Sequence, residues 1–264
     1  MIIVKILVLI VCCLLALILG GCFKKPKPEP EPEPEPEDEW EDYYPVNWYK
    51  PVIDINAHKW RERNFDSPEW ETYENTVLSL MKKVDRENKF DDLTLARILT
   101  SKTDDGRYLF KWTSDMEIWE ETDHWATPAE FLILKDENGN PDPNGLYRDD
   151  CDGFAGFHCD FLYRLCNYWI VWFIEVYWKK RYFNDFSNNY QWKAQGHAIT
   201  IYQRTAGDMW RCFSNQTFLG MTNGYATIQE IIEKFCPDDE NHELNRVVAR
   251  HPIEGELLWQ ITRL

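Results

Sequence analysis

Hydrophobic positions fall three and four apart in the first half of the chain, and alternate or run together in the second half. The first helical pattern opens at Ser67-Pro68-Glu69, a capping serine, a first-turn proline and an early acid. It then places Trp70, Tyr73, Val77, Leu80, Met81 and Val84 on one face. A shorter helix is predicted from Asp92 to Ser101, carrying Leu95, Ile98 and Leu99. The stretch Tyr108 to Trp125 is aromatic and acidic without a clear period, so it predicts no element. Its aromatics could stack on sugars of a cell-wall substrate, but large apolar rings more often fill a core. Thr127-Pro128-Ala129-Glu130 repeats the helix-start signature as a capping box. A further helix follows Asp149-Asp150, with Phe154, Phe157, Phe161, Leu162 and Leu165 on one face.

Beyond that helix the period changes. Trp169 to Trp178 is β-branched and aromatic, which suits a central strand. Gly196 to Tyr202 alternates, and a second strand-like run ends in Trp210-Arg211-Cys212-Phe213-Ser214-Asn215. Thr227-Ile228-Gln229-Glu230 caps a short helix through Phe235, and Glu256 to Ile261 reads as a closing strand. Helices gathered in front of strands that neighbour one another in sequence predict an α+β domain with a mainly antiparallel sheet.

The N-terminal region changes the picture of where this domain sits. Residues 1–22 carry Lys5 as their only charge, then an apolar run through Leu19 and the small residues Gly20-Gly21 before Cys22. That is the layout of an export signal. Leu19-Gly20-Gly21-Cys22 resembles a bacterial lipobox, which implies cleavage before Cys22 and a lipid on its sulfur. A plain membrane anchor would use the same apolar stretch, which is near the minimum for a spanning helix. Either way the rest of the chain is expected outside the cytoplasm, tethered to the membrane. Residues 23–42 alternate Lys-Pro and Glu-Pro before an acidic cluster. Proline alternation favours an extended spacer reaching roughly 60 Å. The remainder reads as a helical and aromatic-rich part, 43–126, followed by a candidate catalytic part, 127–264.

Charge narrows the partners. The linker carries −6 and Lys5 adds +1, so −11 of the net −16 falls on residues 43–264. Nucleic acid is excluded on this ground, because phosphate binding needs a basic surface.

The candidate chemistry centres on Cys151. It lies at or just before the first turn of its helix, where unpaired backbone N–H groups stabilise a thiolate, the nucleophilic form. His197 starts one strand-like run and Asn215 ends the next. A thiol on a helix N-terminus with a histidine and an amide on consecutive strands is a nucleophile–base–orienter set. Asp149 and Asp150 oppose the helix end, since their charge raises the thiol pKa. Metal is not expected. In Asp136 to Gly145 the oxygen side chains alternate as in a calcium loop, but the glycine position of an EF-hand is Pro141 and the bidentate acid position is Tyr147. Asn-Gly and Asp-Pro steps there are ordinary turn formers. His158 beside Cys159 lacks any clustered zinc-ligand spacing. No cofactor is predicted. Of eight cysteines, Cys151, Cys159, Cys166, Cys212 and Cys236 remain after the predicted signal and lipid site, an odd number that leaves at least one thiol without an internal partner.

The segment from about Thr127 to Asn215 resembles a transglutaminase-like domain of the papain-type cysteine protease and acyltransferase superfamily. The matching positions are Asp150-Cys151-Asp152, His197-Ala198, and Trp210 with Asn215. The chain departs at Asp149, where that family usually has glycine, and at Asn215, where aspartate is commoner. The resemblance implies a papain-like fold and a Cys151–His197–Asn215 triad acting on amide bonds through a thioester. Attack by water on that thioester would make the protein a peptidase or amidase; attack by an amine would make it a transglutaminase. The expected substrate is a protein or a peptidoglycan peptide. An upstream indole, Trp112, Trp119 or Trp125, would complete the oxyanion hole with the Cys151 N–H. Cys151-Asp152-Gly153-Phe154 with Gly196-His197 is also similar to cell-wall peptidases of the NlpC/P60 type, although Asp152 and the Trp210–Asn215 spacing fit them less well. The non-enzymatic alternative is a surface interaction module that keeps the fold without turnover.

Overall fold

The computed structural model describes residues 60–262, apart from 62, 86, 88, 122, 185–187 and 221. The predicted signal, Cys22 and the linker 23–42 lie outside the described residues. Helix α1 (Pro68–Val84) forms where its period predicts: Ser67 Oγ accepts the Trp70 amide, and Trp70, Tyr73, Val77, Leu80 and Met81 are buried. Helix α2 (Asp92–Leu99) is capped by Asp91 and buries Leu95, Ile98 and Leu99.

The aperiodic stretch Tyr108–Trp125 contributes β1 (Phe110–Trp112) and a single turn, α3 (Asp115–Ile118). Pairing rather than amphipathicity fixes this segment. Strand β1 runs parallel to β3 (Leu146–Asp149), and β2 (Leu134–Lys135) flanks β3 antiparallel. The capping box at Thr127 and Glu130 is present, yet α4 (Pro128–Phe131) stops after one turn, before the chain pairs as β2. In the loop that follows, Asp136 Oδ1 accepts the amides of Asn138 and Asn140, and Asp142 Oδ1 accepts that of Asn144. Those oxygens cap their own backbone, as turn residues do.

Helix α5 (Cys151–Asp160) continues into a wider π turn, Phe161–Leu165. Phe154, Phe157, Phe161 and Leu162 are fully buried. Their rings meet those of the earlier elements: Phe157 stacks on Phe110 at 6.0 Å, and Phe154 meets Phe131 edge-on at 4.9 Å. Trp60 packs on Phe173 at 5.3 Å, and Tyr73 Oη donates to Asp160 at 2.5 Å. The parts before and after residue 127 therefore share one core.

A six-stranded, wholly antiparallel sheet completes the domain, in the order β7-β6-β5-β4-β8-β9. Its spine is the hairpin of β4 (Ile170–Asn184) and β5 (Asn189–Gln203), paired from Ile170↔Gln203 to Asn184↔Asn189. The other strands are β6 (Arg211–Ser214), β7 (Thr217–Leu219), β8 (His242–Arg250) and β9 (Leu257–Thr262); α6 (Ile228–Ile232) precedes β8. The architecture is α+β, as expected.

Strand alternation assigns the faces. Phe173, Ala198, Tyr202 and Phe213 belong to the core built on α5, and Thr200 Oγ1 donates to the Ala155 carbonyl of that helix. Trp172, Ile174, Ile199, Ile201 and Cys212 are buried on the other face. On the α5 side, Glu175 Oε1 accepts from Arg250 Nε at 2.5 Å, both side chains almost wholly buried. Among the described residues no helix is long and apolar enough to cross a membrane.

Candidate functional site

Asp150 caps α5 by accepting the Asp152 amide at 3.0 Å, which makes Cys151 the first helical residue. The thiol is half-buried and faces the backbone N–H of Ala198 in β5. Burial, and after it the charge of Asp150, pushes the thiol up to about 12, while the Ala198 amide pulls the other way. The expected acidic opposition to the helix end is thus present, with desolvation the larger cause.

His197 precedes that amide. Its Nε2 lies 2.8 Å from Ser214 Oγ and its ring packs on Phe235 at 5.1 Å. Alternation sends Ala198 towards α5 and His197 to the opposite face, so thiol and ring approach the strand from different sides. The hydrogen bond of the His197 ring goes to Ser214, and no hydrogen bond joins it to the Cys151 sulfur among the described residues. Burial holds the imidazole down at about 4, with Asp150 opposing. At neutral pH the resting pair is a thiol and a neutral imidazole, not an ion pair.

The side chain hydrogen-bonded to the His197 ring is that of Ser214, and Asn215 makes no hydrogen bond to that ring among the described residues. Asn215 occupies the turn between β6 and β7 with φ 49°, a left-handed conformation that asparagine tolerates better than most residues. Its Oδ1 is buried and has no hydrogen-bond partner among the described residues. Its backbone lies against the fully buried His158 ring, which desolvation holds down at about 3 while the Asn215 backbone pulls the other way. Alternation along β6 could have found Ser214: Phe213 faces α5, so Cys212 and Ser214 share the face to which His197 turns.

A second group that sequence reasoning did not assemble surrounds the helix start. Asp115, Asp149, Asp150 and Asp152 each offer one carboxylate oxygen, and these lie within 4.8 Å of one another. Asp149 Oδ1 accepts from Trp119 Nε1 at 3.3 Å and from the Asp150 amide at 3.0 Å. Lys135 Nζ stands 3.9 Å from its Oδ2, donates to the Arg148 carbonyl and sits 4.1 Å above the Trp119 ring. Asp115 Oδ2 accepts the His124 amide at 2.6 Å. Burial lifts Asp115 and Asp149 to about 7 and holds Asp152 well above the usual carboxylate range. Gly153 makes room for this group: a Cβ there would come within 2.5 Å of Asp149 Cγ. The signal in the sequence was the run Asp149-Asp150-x-Asp152; Asp115, from the aperiodic stretch, gave none.

Of the three indoles considered for an oxyanion hole, Trp119 is bound to Asp149, Trp125 Nε1 donates to Asp123, and Trp112 is half exposed. A groove of about 610 Å³ runs beside β1, lined by Arg107, Tyr108, Trp112, Arg148 and Gln216 among others. No protein-family model matches this chain, and no curated protein or solved structure matches it either.

Proposed function

We propose that the chain is a membrane-tethered, extracytoplasmic cysteine enzyme of transglutaminase-like, papain-type kind that transfers acyl groups from amide bonds. The observation that carries this reading is the placement of Cys151 at the α5 N-terminus, its sulfur against the amide that follows His197, with that ring oriented by Ser214. In this mechanism the Cys151 sulfur attacks an amide carbonyl while its proton passes to His197. Nε2 is held by Ser214, so Nδ1 is the accepting atom. The Cys151 N–H, at the positive end of the helix, receives the developing oxyanion. His197 then protonates the leaving amine, and a thioester remains for water or a second amine to attack. A neutral resting pair means that the proton moves during attack, by general-base catalysis, rather than before it. The groove beside β1 has an aromatic and cationic wall, but Cys151, His197 and Ser214 do not line it. The substrate class is a protein or a peptidoglycan peptide, and a lipid on Cys22 would hold the domain at the membrane.

A fluorescent thiol-directed activity probe tests the assignment, followed by a panel of peptide and cell-wall substrates. Labelling of wild-type protein that disappears in Cys151→Ala and falls steeply in His197→Ala supports it; labelling that survives Cys151→Ala sinks it. For the anchor, the expected result is membrane-bound protein whose N-terminal peptide carries lipid on Cys22; soluble protein with an unmodified Cys22 would rule it out.

A second reading has its own observation. The half-buried thiol feels the charge of Asp150 and Asp115, and its ionisation is suppressed. That environment suits a surface interaction module that keeps the fold without turnover. Absence of probe labelling from a folded protein across the substrate panel would favour it.

A further inference from the structure

The four aspartates at the start of α5 converge, one carboxylate oxygen from each lying within 4.8 Å of the others. Three of them are more than nine-tenths buried: Asp115, Asp149 and Asp152 are 3%, 0% and 6% exposed. Each of these three keeps a buried carboxylate oxygen with no hydrogen-bond partner among the described residues: Asp115 Oδ1, Asp149 Oδ2 and Asp152 Oδ1. Unpaired buried oxygens are costly and uncommon in native proteins. Lys135 stands at 3.9 Å from Asp149 and so balances one of the four charges. The ligand type is all carboxylate oxygen, which selects hard divalent cations over zinc or copper. The spacing agrees: two oxygens on opposite sides of a calcium ion lie about 4.6–5.2 Å apart, and adjacent ones closer. The four oxygens here fall within 4.8 Å.

We propose that Asp115, Asp149, Asp150 and Asp152 bind one hard divalent cation, of the Ca²⁺, Mg²⁺ or Mn²⁺ class, where α3, β3 and the N-terminus of α5 converge. Such an ion would tie the aperiodic 108–125 stretch to the helix that carries the thiol. The site does not depend on turnover at Cys151 and goes beyond the catalytic reading.

The test is calorimetric titration of chelator-treated full-length protein with CaCl₂, MgCl₂ and MnCl₂, alongside thermal unfolding. The expected result is one saturable equivalent of at least one cation. At a concentration a hundredfold above its Kd that cation should raise Tm by about 5–10 °C. Asp115→Asn and Asp152→Asn should each weaken binding at least tenfold and remove most of the shift. Asp136→Asn, in the exposed turn that caps its own backbone, should leave both unchanged. Absence of saturable heat and of a shift with all three cations at millimolar concentration overturns the proposal, as does binding that survives Asp115→Asn and Asp152→Asn but not Asp136→Asn. Should the carboxylate variants fail to fold, terbium emission sensitised by tryptophan on wild-type protein decides. Saturable emission displaced by Ca²⁺ supports the site, and emission that never saturates overturns it.

Discussion

At Cys151 two influences on the sulfur oppose each other. The helix end and the Ala198 amide favour the thiolate; burial and Asp150 disfavour it, and they win. The ring that must relieve this is positioned by a hydroxyl. Ser214→Ala therefore removes an orienting hydrogen bond and should lower the acyl-transfer rate about tenfold. Asn215→Gly should leave activity and stability nearly unchanged, because glycine accepts φ 49° without strain. A kinetic comparison of the two variants on one peptide substrate checks both outcomes. Motif and resemblance singled out Cys151, His197 and Asn215; in the structure the hydroxyl at the His197 ring belongs to Ser214, and Asn215 turns the backbone at φ 49°. What placed Ser214 at the ring was strand register, a long-range property that a short motif does not encode.

Among the elements, those defined by their own periodicity were the readable ones. Helix α1 buries the residues its 3.6-residue spacing selected, and α5 begins at its predicted thiol. Elements made by pairing were not readable. Strand β1 exists because Phe110–Trp112 lies along Tyr147–Asp149. Strand β8 was hidden by its composition: His242–Arg250 holds charged residues that read as surface, yet Arg250 is buried because Glu175 meets it from β4. Removing one partner of that pair leaves the other charge buried and uncompensated, so Glu175→Ala should cost about 3–5 kcal/mol in denaturant unfolding. Gly153→Ala is a finer probe of the helix start. Its methyl group would press on the buried, hydrogen-bonded Asp149, so a loss of about 1–3 kcal/mol is expected, against near neutrality or a small gain at an unobstructed helical glycine.

For the molecule as a whole, pH dependence follows from groups buried in unfavourable charge states. His158 has a folded pKa of about 3 against an ordinary 6.5, so its contribution is complete above 6.5 and is lost as pH falls towards 3. Between pH 6.5 and 4 that loss is about 3 kcal/mol. Asp115 and Asp149, raised from 3.8 to about 7, act in the opposite sense: their contribution is complete below 3.8 and is lost as pH rises towards 7. A wild-type profile also carries the acid-side loss from His197, held down at about 4, so His158→Phe, which keeps an aromatic ring beside Phe213, should make the acid limb shallower without abolishing it. Unfolding midpoints of both proteins across that range measure it.

The central claim is that His197 serves Cys151 as its base, and site-resolved alkylation of the native protein near neutral pH tests it most directly. Iodoacetamide modification followed by peptide mass spectrometry should find Cys151 reacting ahead of Cys159, Cys166 and Cys212. The first reason is exposure, since Cys159 and Cys212 are buried. The second is base assistance, since burial raises all four thiols but only Cys151 has an imidazole one residue from the amide it faces. In His197→Ala the Cys151 rate should fall at least about tenfold while the other thiols keep their rates. Equal Cys151 rates in the two proteins, or Cys166 reacting first in the wild type, would contradict the account.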